Sequence, residues 1–212
     1  MIEKIFPGTN TKLRILKTIY ENPGVNITQL IKRARASPNL TIGYVNALTK
    51  FRVVRERVVG KGGKAHVREL EANLTSSLGR LLFAAVEVEK RYKFLKKYRE
   101  FRPIFAQLDD FFSDSDVRFC LIHGSFARFS ATRESDVDVL IVGKLKRSER
   151  SRISEIFVTL RREYSVEIET PETFIKNAHN PFHQTILKDH IIVWNELGFV
   201  EILSSLQWIS TP

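Results

Sequence analysis

Between residues 122 and 142 the chain reads IHGSFARFSATRESDVDVLIV, with Gly124-Ser125 ten residues ahead of Asp136 and Asp138. Successive residues of a strand point to opposite faces, so the two aspartates share one face while Val137 and Val139 share the other. Carboxylates held this close repel each other unless a cation lies between them. A hard divalent ion such as Mg²⁺ meets that need, because it prefers carboxylate oxygens and keeps positions open for water and phosphate. Gly124-Ser125 offers the complementary half. Glycine lets a backbone approach a ligand, and serine supplies a hydroxyl to a phosphate oxygen. A helix beginning near Phe126-Ala127 would aim free N–H groups at the same anion. No Gly-Lys-Ser/Thr follows the glycine, so this is not a Walker-type loop. His123 borders the pair and is expected as a strand residue packed against a neighbour. His179 and His183 lie four apart, but Pro181 between them breaks the helix that would align them on a metal.

The elements around this segment alternate. Ile104, Phe105, Leu108, Phe111 and Phe112 predict a helix after Arg102-Pro103. DVRFCLIHG and DVDVLIVG read as strands, and RSERSRISEIFVTLRREY reads as a helix leading to a third strand, SVEIET. PETFIKNAHNPFHQTILKDHIIVWN reads as helix, loop, helix and a short last strand. Such alternation predicts an α/β (α+β) domain with a small mixed sheet. Cys120 is the single cysteine, which leaves no disulfide framework and marks it as a small core residue.

Gly-Ser, ten residues, then Ser135-Asp136-Val137-Asp138 and an apolar strand is similar to the signature of the DNA polymerase beta-like nucleotidyltransferase superfamily, which residues 101–206 resemble. The resemblance implies that Asp136 and Asp138 bind Mg²⁺ (or Mn²⁺) and the triphosphate, and that a third catalytic, metal-binding carboxylate on a later strand activates the attacking hydroxyl. Glu167, between Val166 and Ile168, is the best match, with Glu169 on the same face as the fallback. Gly124, Ser125 and Arg128 would bind the nucleotide, with Arg133 a weaker choice. The implied reaction is in-line attack of a hydroxyl on the α-phosphate of an NTP, ATP being the one expected, with pyrophosphate leaving. Two positions depart from the pattern. Small members of the family usually follow that arginine with glycine, where this chain has Phe129. Their third acid is more commonly Asp, one methylene shorter than Glu167.

Charge divides the chain in two. Residues 1–100 hold 21 basic and 8 acidic residues, an excess of +13, while residues 101–212 hold 13 and 16, a balance of −3. A basic module of this size suits a polyanion, because cations that neutralise phosphates release counterions. Leu13, Leu16, Ile19 and Tyr20 predict a first helix capped at Thr9 or Asn10 and stopped by Pro23-Gly24. A second starts at Asn26 and ends before Pro38. A third runs from Leu40 to about Phe51, burying Ile42, Val45 and Leu48 and turning Thr41, Tyr44, Asn46 and Lys50 outward. VVRERVVGKGGKAHVRELE then reads as a hairpin with a basic glycine tip. This order resembles a winged helix-turn-helix over residues 1–72. The resemblance implies that Tyr44, Asn46 and Lys50 face bases and that Lys61 and Lys64 touch phosphates.

From Leu74 to Leu95 the apolar positions Leu74, Leu78, Leu81, Ala85, Val88, Tyr92 and Leu95 step by four and three. The same stepping fits a two-stranded coiled coil with a second copy through residues 74–98, or one helix packed on its own chain. The expected organisation is a winged helix at 1–72, a linker or dimerisation helix at 73–100 and a nucleotidyltransferase domain at 101–212.

Two functions follow as expectations. One is a nucleotidyltransferase brought to nucleic acid, DNA or RNA, by the winged helix. The other is a DNA-binding transcriptional regulator whose second domain senses nucleotide or is inactive. A toxin-like protein partner is less expected, since antitoxin relatives are usually a bare catalytic domain. The N-terminus lacks a basic region followed by a long apolar run, and no segment approaches the roughly 18 apolar residues of a span, so a soluble cytoplasmic protein is expected.

Overall fold

The computed structural model describes residues 5–59 and 67–209, with side chains as far as residue 206. The chain divides into two units, Met1–Val86 and Glu87–Ser210.

In the first unit, α1 (Asn10–Glu21) starts where the Thr9 side chain accepts a hydrogen bond from the Lys12 N–H. It buries Ile15, Leu16 and Ile19. A two-residue strand, β1 (Val25–Asn26), precedes α2 (Ile27–Ala34). Asn26 and Gln29 satisfy each other's backbone N–H groups at the start of α2, a capping box. α3 (Pro38–Lys50) has Ser37 as its cap and proline in its first turn, where no N–H is needed. β2 (Val54–Val59) and β3 (Val67–Ala72) pair antiparallel from Val54↔Ala72 to Val59↔Val67, and β1 adds on the far side of β3.

The outward face of α3 differs from the expected one. Thr41, Tyr44, Val45 and Leu48 are buried, a continuous i, i+3, i+4, i+7 face, while Ile42 is 40 % exposed. Tyr44 goes inward because its hydroxyl finds a partner there, donating to the Ile5 carbonyl at 2.7 Å. Thr41 is buried because its hydroxyl bonds back to the Ser37 carbonyl at 2.9 Å. Both polar groups are satisfied locally, so polarity alone did not place them at the surface.

α4 (Ser77–Lys97) is followed by a 3-10 turn, Arg99–Phe101. The second unit then adds α5 (Arg102–Phe112), β4 (Asp116–His123), α6 (Gly124–Ala127), β5 (Val137–Lys144) and α7 (Arg147–Val158). It continues with β6 (Tyr164–Glu169), α8 (Pro171–Asn177), α9 (Pro181–Lys188), β7 (Ile191–Trp194) and α10 (Glu196–Ile209). The strands form one mixed sheet in the order β6-β5-β4-β7. β5 and β6 run parallel; β4 is antiparallel to both β5 and β7.

Alternation divides β5 cleanly. Val137, Val139 and Ile141 enter a core with Phe101, Phe105, Leu108, Phe112, Ile153 and Phe157. Leu140 and Val142 face the other way and are buried too. On that second face Phe119 of β4 meets Phe174 of α8 and Phe199 of α10 edge-on, at 5.3 and 5.1 Å. Helices therefore cover both sides of the sheet. The edge strand β6 keeps Ser165 and Glu167 exposed, while Tyr164, Val166 and Ile168 pack on the first core.

Candidate active site

The end of β4 and the start of β5 lie side by side, with His123 opposite Asp138 in register. Gly124 follows at φ +70°, in the left-handed region that favours glycine. A Cβ at Gly124 would sit 2.3 Å from Asp138 Oδ2, so only glycine admits the carboxylate this close to the turn. Asp138 is also fixed from its other side, where Ser165 Oγ donates to its Oδ1 at 3.1 Å. Asp136 stands exposed one residue before β5. Glu167 pairs with Leu140 in the parallel register, which puts it on the face of Asp138, one pleat repeat along. Among the described residues the Glu167 carboxylate makes no hydrogen bond or ion pair, whereas Glu169, next on that face, accepts from His183 Nε2 at 3.0 Å.

Ser125 points a buried Oγ at no partner among the described residues, a hydroxyl available to a ligand. Its own carbonyl is taken by the Ser130 N–H at 3.0 Å, closing the turn. α6 is only four residues long and starts at Gly124, so the expected helix at Phe126-Ala127 is a single turn whose aligned peptide dipoles sum to little. Arg128, which follows this turn, is exposed.

Phe129, where glycine was anticipated, adopts φ +58°. The backbone is thus glycine-like although the side chain is not. Its ring stacks on Tyr98 at 6.1 Å and meets Phe94 edge-on at 6.3 Å. Lys97 Nζ donates to its carbonyl at 2.6 Å. Farther along the same loop, Arg162 Nη1 donates to the carbonyls of Thr132 and Arg133, at 3.1 and 2.8 Å. Two cations therefore hold the loop between Gly-Ser and Asp-x-Asp.

Burial holds the His123 imidazole below its ordinary pKa; Asp138 and Glu167 oppose that, and Arg128 reinforces it. His123 thus lies within electrostatic reach of all three. Among the described residues its buried Nε2 has no partner, and its ring is crossed edge-on by Phe182 of α9 at 5.6 Å. His179 lies in the loop ahead of α9, on which His183 sits, so the two do not share a helix.

No group of three His, Cys, Asp or Glu side chains among the described residues is arranged as a ready-made metal cage. A Mg²⁺ that arrives with a triphosphate needs only one or two carboxylates, the phosphates and water completing its shell. Asp136, just before β5, and Asp138 within it would supply carboxylates of that number.

In the first unit Asn46 and Lys50 are exposed on α3, and Asn46 Oδ1 accepts from Arg68 at 3.2 Å. Tyr44 is buried and cannot face a base, which corrects the reading of that position. Lys61 and Lys64 lie outside the described residues.

One comparison concerns the span that holds Gly124, Ser125, Asp136, Asp138 and Glu167. Residues 106–196 match the polymerase beta nucleotidyltransferase family. The small mixed sheet of the second unit is that of a polymerase-beta-like fold, and the nucleotidyltransferase match begins within α5 and ends after β7. One solved structure similar to the chain, a crystal structure of a toxin-antitoxin with AMP-PNP, is 16 % identical to it. That similarity covers 50 % of this chain and 88 % of the other, at a TM-score of 0.33. No curated protein shows significant similarity to the chain. Among the described residues no helix is long and apolar enough to cross a membrane.

Proposed function

We propose that residues 101–212 transfer a nucleoside monophosphate from an NTP, ATP foremost, to a hydroxyl acceptor. The observation that carries this reading is the close approach of the Gly124 turn to Asp138, with an unpartnered Ser125 hydroxyl at the same place. Asp136 and Asp138 would hold Mg²⁺ or Mn²⁺, which when bound supplies Lewis-acid stabilisation of charge on the phosphate oxygens. Ser125 donates its hydroxyl hydrogen to a phosphate oxygen, and Arg128 reaches from the solvent side. Glu167 accepts the proton of the attacking hydroxyl, whose oxygen bonds to the α-phosphorus as the bond to pyrophosphate breaks. Glu169 is engaged by His183, which leaves Glu167 as the carboxylate for this role.

Residues 1–72 are proposed to be a winged helix-turn-helix that delivers the enzyme to nucleic acid, with Asn46 and Lys50 toward the bases and Lys61 and Lys64 toward phosphates. Residues 73–100 link the two and offer a surface for a second copy. The test incubates the protein with labelled NTP, Mg²⁺ and total RNA, DNA and protein as acceptors. Label is expected on one class, and it is expected to disappear in Asp136→Ala/Asp138→Ala and in Glu167→Gln. Absence of transfer to every acceptor, with salt-sensitive, sequence-selective DNA binding that needs Asn46, would establish the regulator instead.

A further inference from the structure

Phe182 is the second residue of α9 and is 45 % exposed, an unusual place for a phenylalanine in a unit whose other phenylalanines mostly fill its cores. The exposed ring is held in place from below. The next residue, His183, is buried against Phe174 and bonded to Glu169, which fixes the first turn of α9 to the face of the sheet that carries Asp138 and Glu167. From that turn the ring leans edge-on against His123, at 5.6 Å and 88°. His123 is the cross-strand neighbour of Asp138 and the residue immediately before Gly124-Ser125. An exposed, anchored aromatic therefore borders the position proposed for the phosphates. The exposed aromatic rings of this unit include Tyr92 as well, but of the two only Phe182 touches a residue of the site.

We infer that Phe182 is the platform on which the nucleobase of the triphosphate stacks. The inference rests on the nucleotidyl-transfer reading and adds to it the group that holds the nucleoside. Metal and phosphate contacts at Asp136, Asp138 and Ser125 are the same for any polyphosphate, so preference for a nucleotide needs a surface that meets the base. Every base presents a π-face, and a phenylalanine offers stacking without a hydrogen-bond code. This ring therefore favours nucleotides over bare polyphosphate and by itself discriminates weakly among the four bases, so a preference for ATP comes from other contacts.

The experiment titrates the full chain with the Mg²⁺ complexes of non-hydrolysable ATP, GTP, CTP and UTP analogues, and with Mg²⁺–tripolyphosphate as a probe that lacks a base. Phe182→Ala is expected to raise the Kd of each nucleotide by about 10-fold or more, in line with the loss of one stacking contact, and to leave tripolyphosphate unchanged. Phe182→Leu, which keeps apolar cover over His123, is expected to behave like Phe182→Ala. Phe182→Trp is expected to restore binding, with fluorescence quenched by nucleotides and not by tripolyphosphate. The platform is overturned if nucleotide binding requires the aspartates yet ignores the loss of the Phe182 ring, or if Phe182→Leu binds like the wild type. Nucleotide binding that persists unchanged in Asp136→Ala/Asp138→Ala would overturn the transfer reading instead, and a wild type that binds neither probe would overturn both.

Discussion

A methyl group added at Gly124 would meet Asp138 Oδ2 at 2.3 Å, on a backbone held at φ +70°. The left-handed conformation costs a non-glycine residue about 1–2 kcal/mol, which a folded unit tolerates. The displaced carboxylate has no such tolerance, because Ser165 fixes its other oxygen. Gly124→Ala is therefore expected to shift the melting temperature by only a few degrees while lowering nucleotidyl transfer by about 100-fold or more, a split read by thermal melts beside a label-transfer assay. Glu167 and Glu169 show how one residue step along a face separates two roles. His183 occupies the second acid and nothing described occupies the first.

At the scale of elements, the loop that follows α6 is set by contacts from α4, from Tyr98 just after it and from Arg162 in the segment before β6. Phe129 keeps a strained φ because its ring is held by Tyr98 and Phe94 and its carbonyl by Lys97. Phe129→Gly removes the strain and the ring together. Ring contacts of this kind contribute about 0.5–1.5 kcal/mol each beyond the apolar burial, so the loss outweighs the relief of strain. A net destabilisation of about 1–3 kcal/mol is expected in urea titrations. α4 has a different kind of surface. Leu81 and Val88 are each 51 % exposed and Tyr92 is 69 % exposed, which leaves these three positions of the heptad seam open to a partner helix, while Leu74 is buried and Leu95 packs on the core of its own unit. Leu81→Asp with Val88→Asp is expected to halve the mass seen in sedimentation, and an unchanged mass would remove the proposed dimer contact.

At the scale of the whole molecule, a buried charge cluster ties distant parts of the chain together. Glu87 is fully buried, with Lys90 Nζ at 2.9 Å and His190 Nε2 at 3.2 Å. Burial by itself raises the Glu87 carboxyl, but the charges and hydrogen bonds of His190 and Lys90 outweigh it and bring it down to about 2. A carboxyl lower in the folded state than in the unfolded one stabilises the fold above the unfolded pKa, and that stability disappears as pH falls through the folded value. Unfolding free energy is therefore expected to drop between about pH 4.5 and pH 2. Glu87→Gln should be less stable at neutral pH and flatter across that window, as urea titrations at stepped pH will report. Removing one partner of a buried pair leaves the other uncompensated, so the neutral-pH loss should reach about 3 kcal/mol.

The sequence by itself determined most of the elements and the alternation that puts Asp136 and Asp138 on one face. Caps at Thr9 and Asn26 and the breaks at Pro23-Gly24 and Pro103 are local signals, since a backbone group is satisfied or a dihedral fixed within a few residues. The alternation of Asp136-Val137-Asp138-Val139 is equally local, because a strand sends alternate side chains to opposite faces whatever lies beyond it. Tertiary structure decided what depends on partners far along the chain. Tyr44 turned inward because the Ile5 carbonyl was there to receive its hydroxyl. Phe129 accepted a glycine-like φ because α4 supplied the Phe94 ring and Lys97, and Tyr98 just after it a second ring. His183 chose Glu169, and His123 met Phe182, across distances in sequence that no local pattern records. The β1 strand and the α10 helix were likewise unread, the first because two residues carry no periodicity and the second because its apolar face is defined by the sheet it covers.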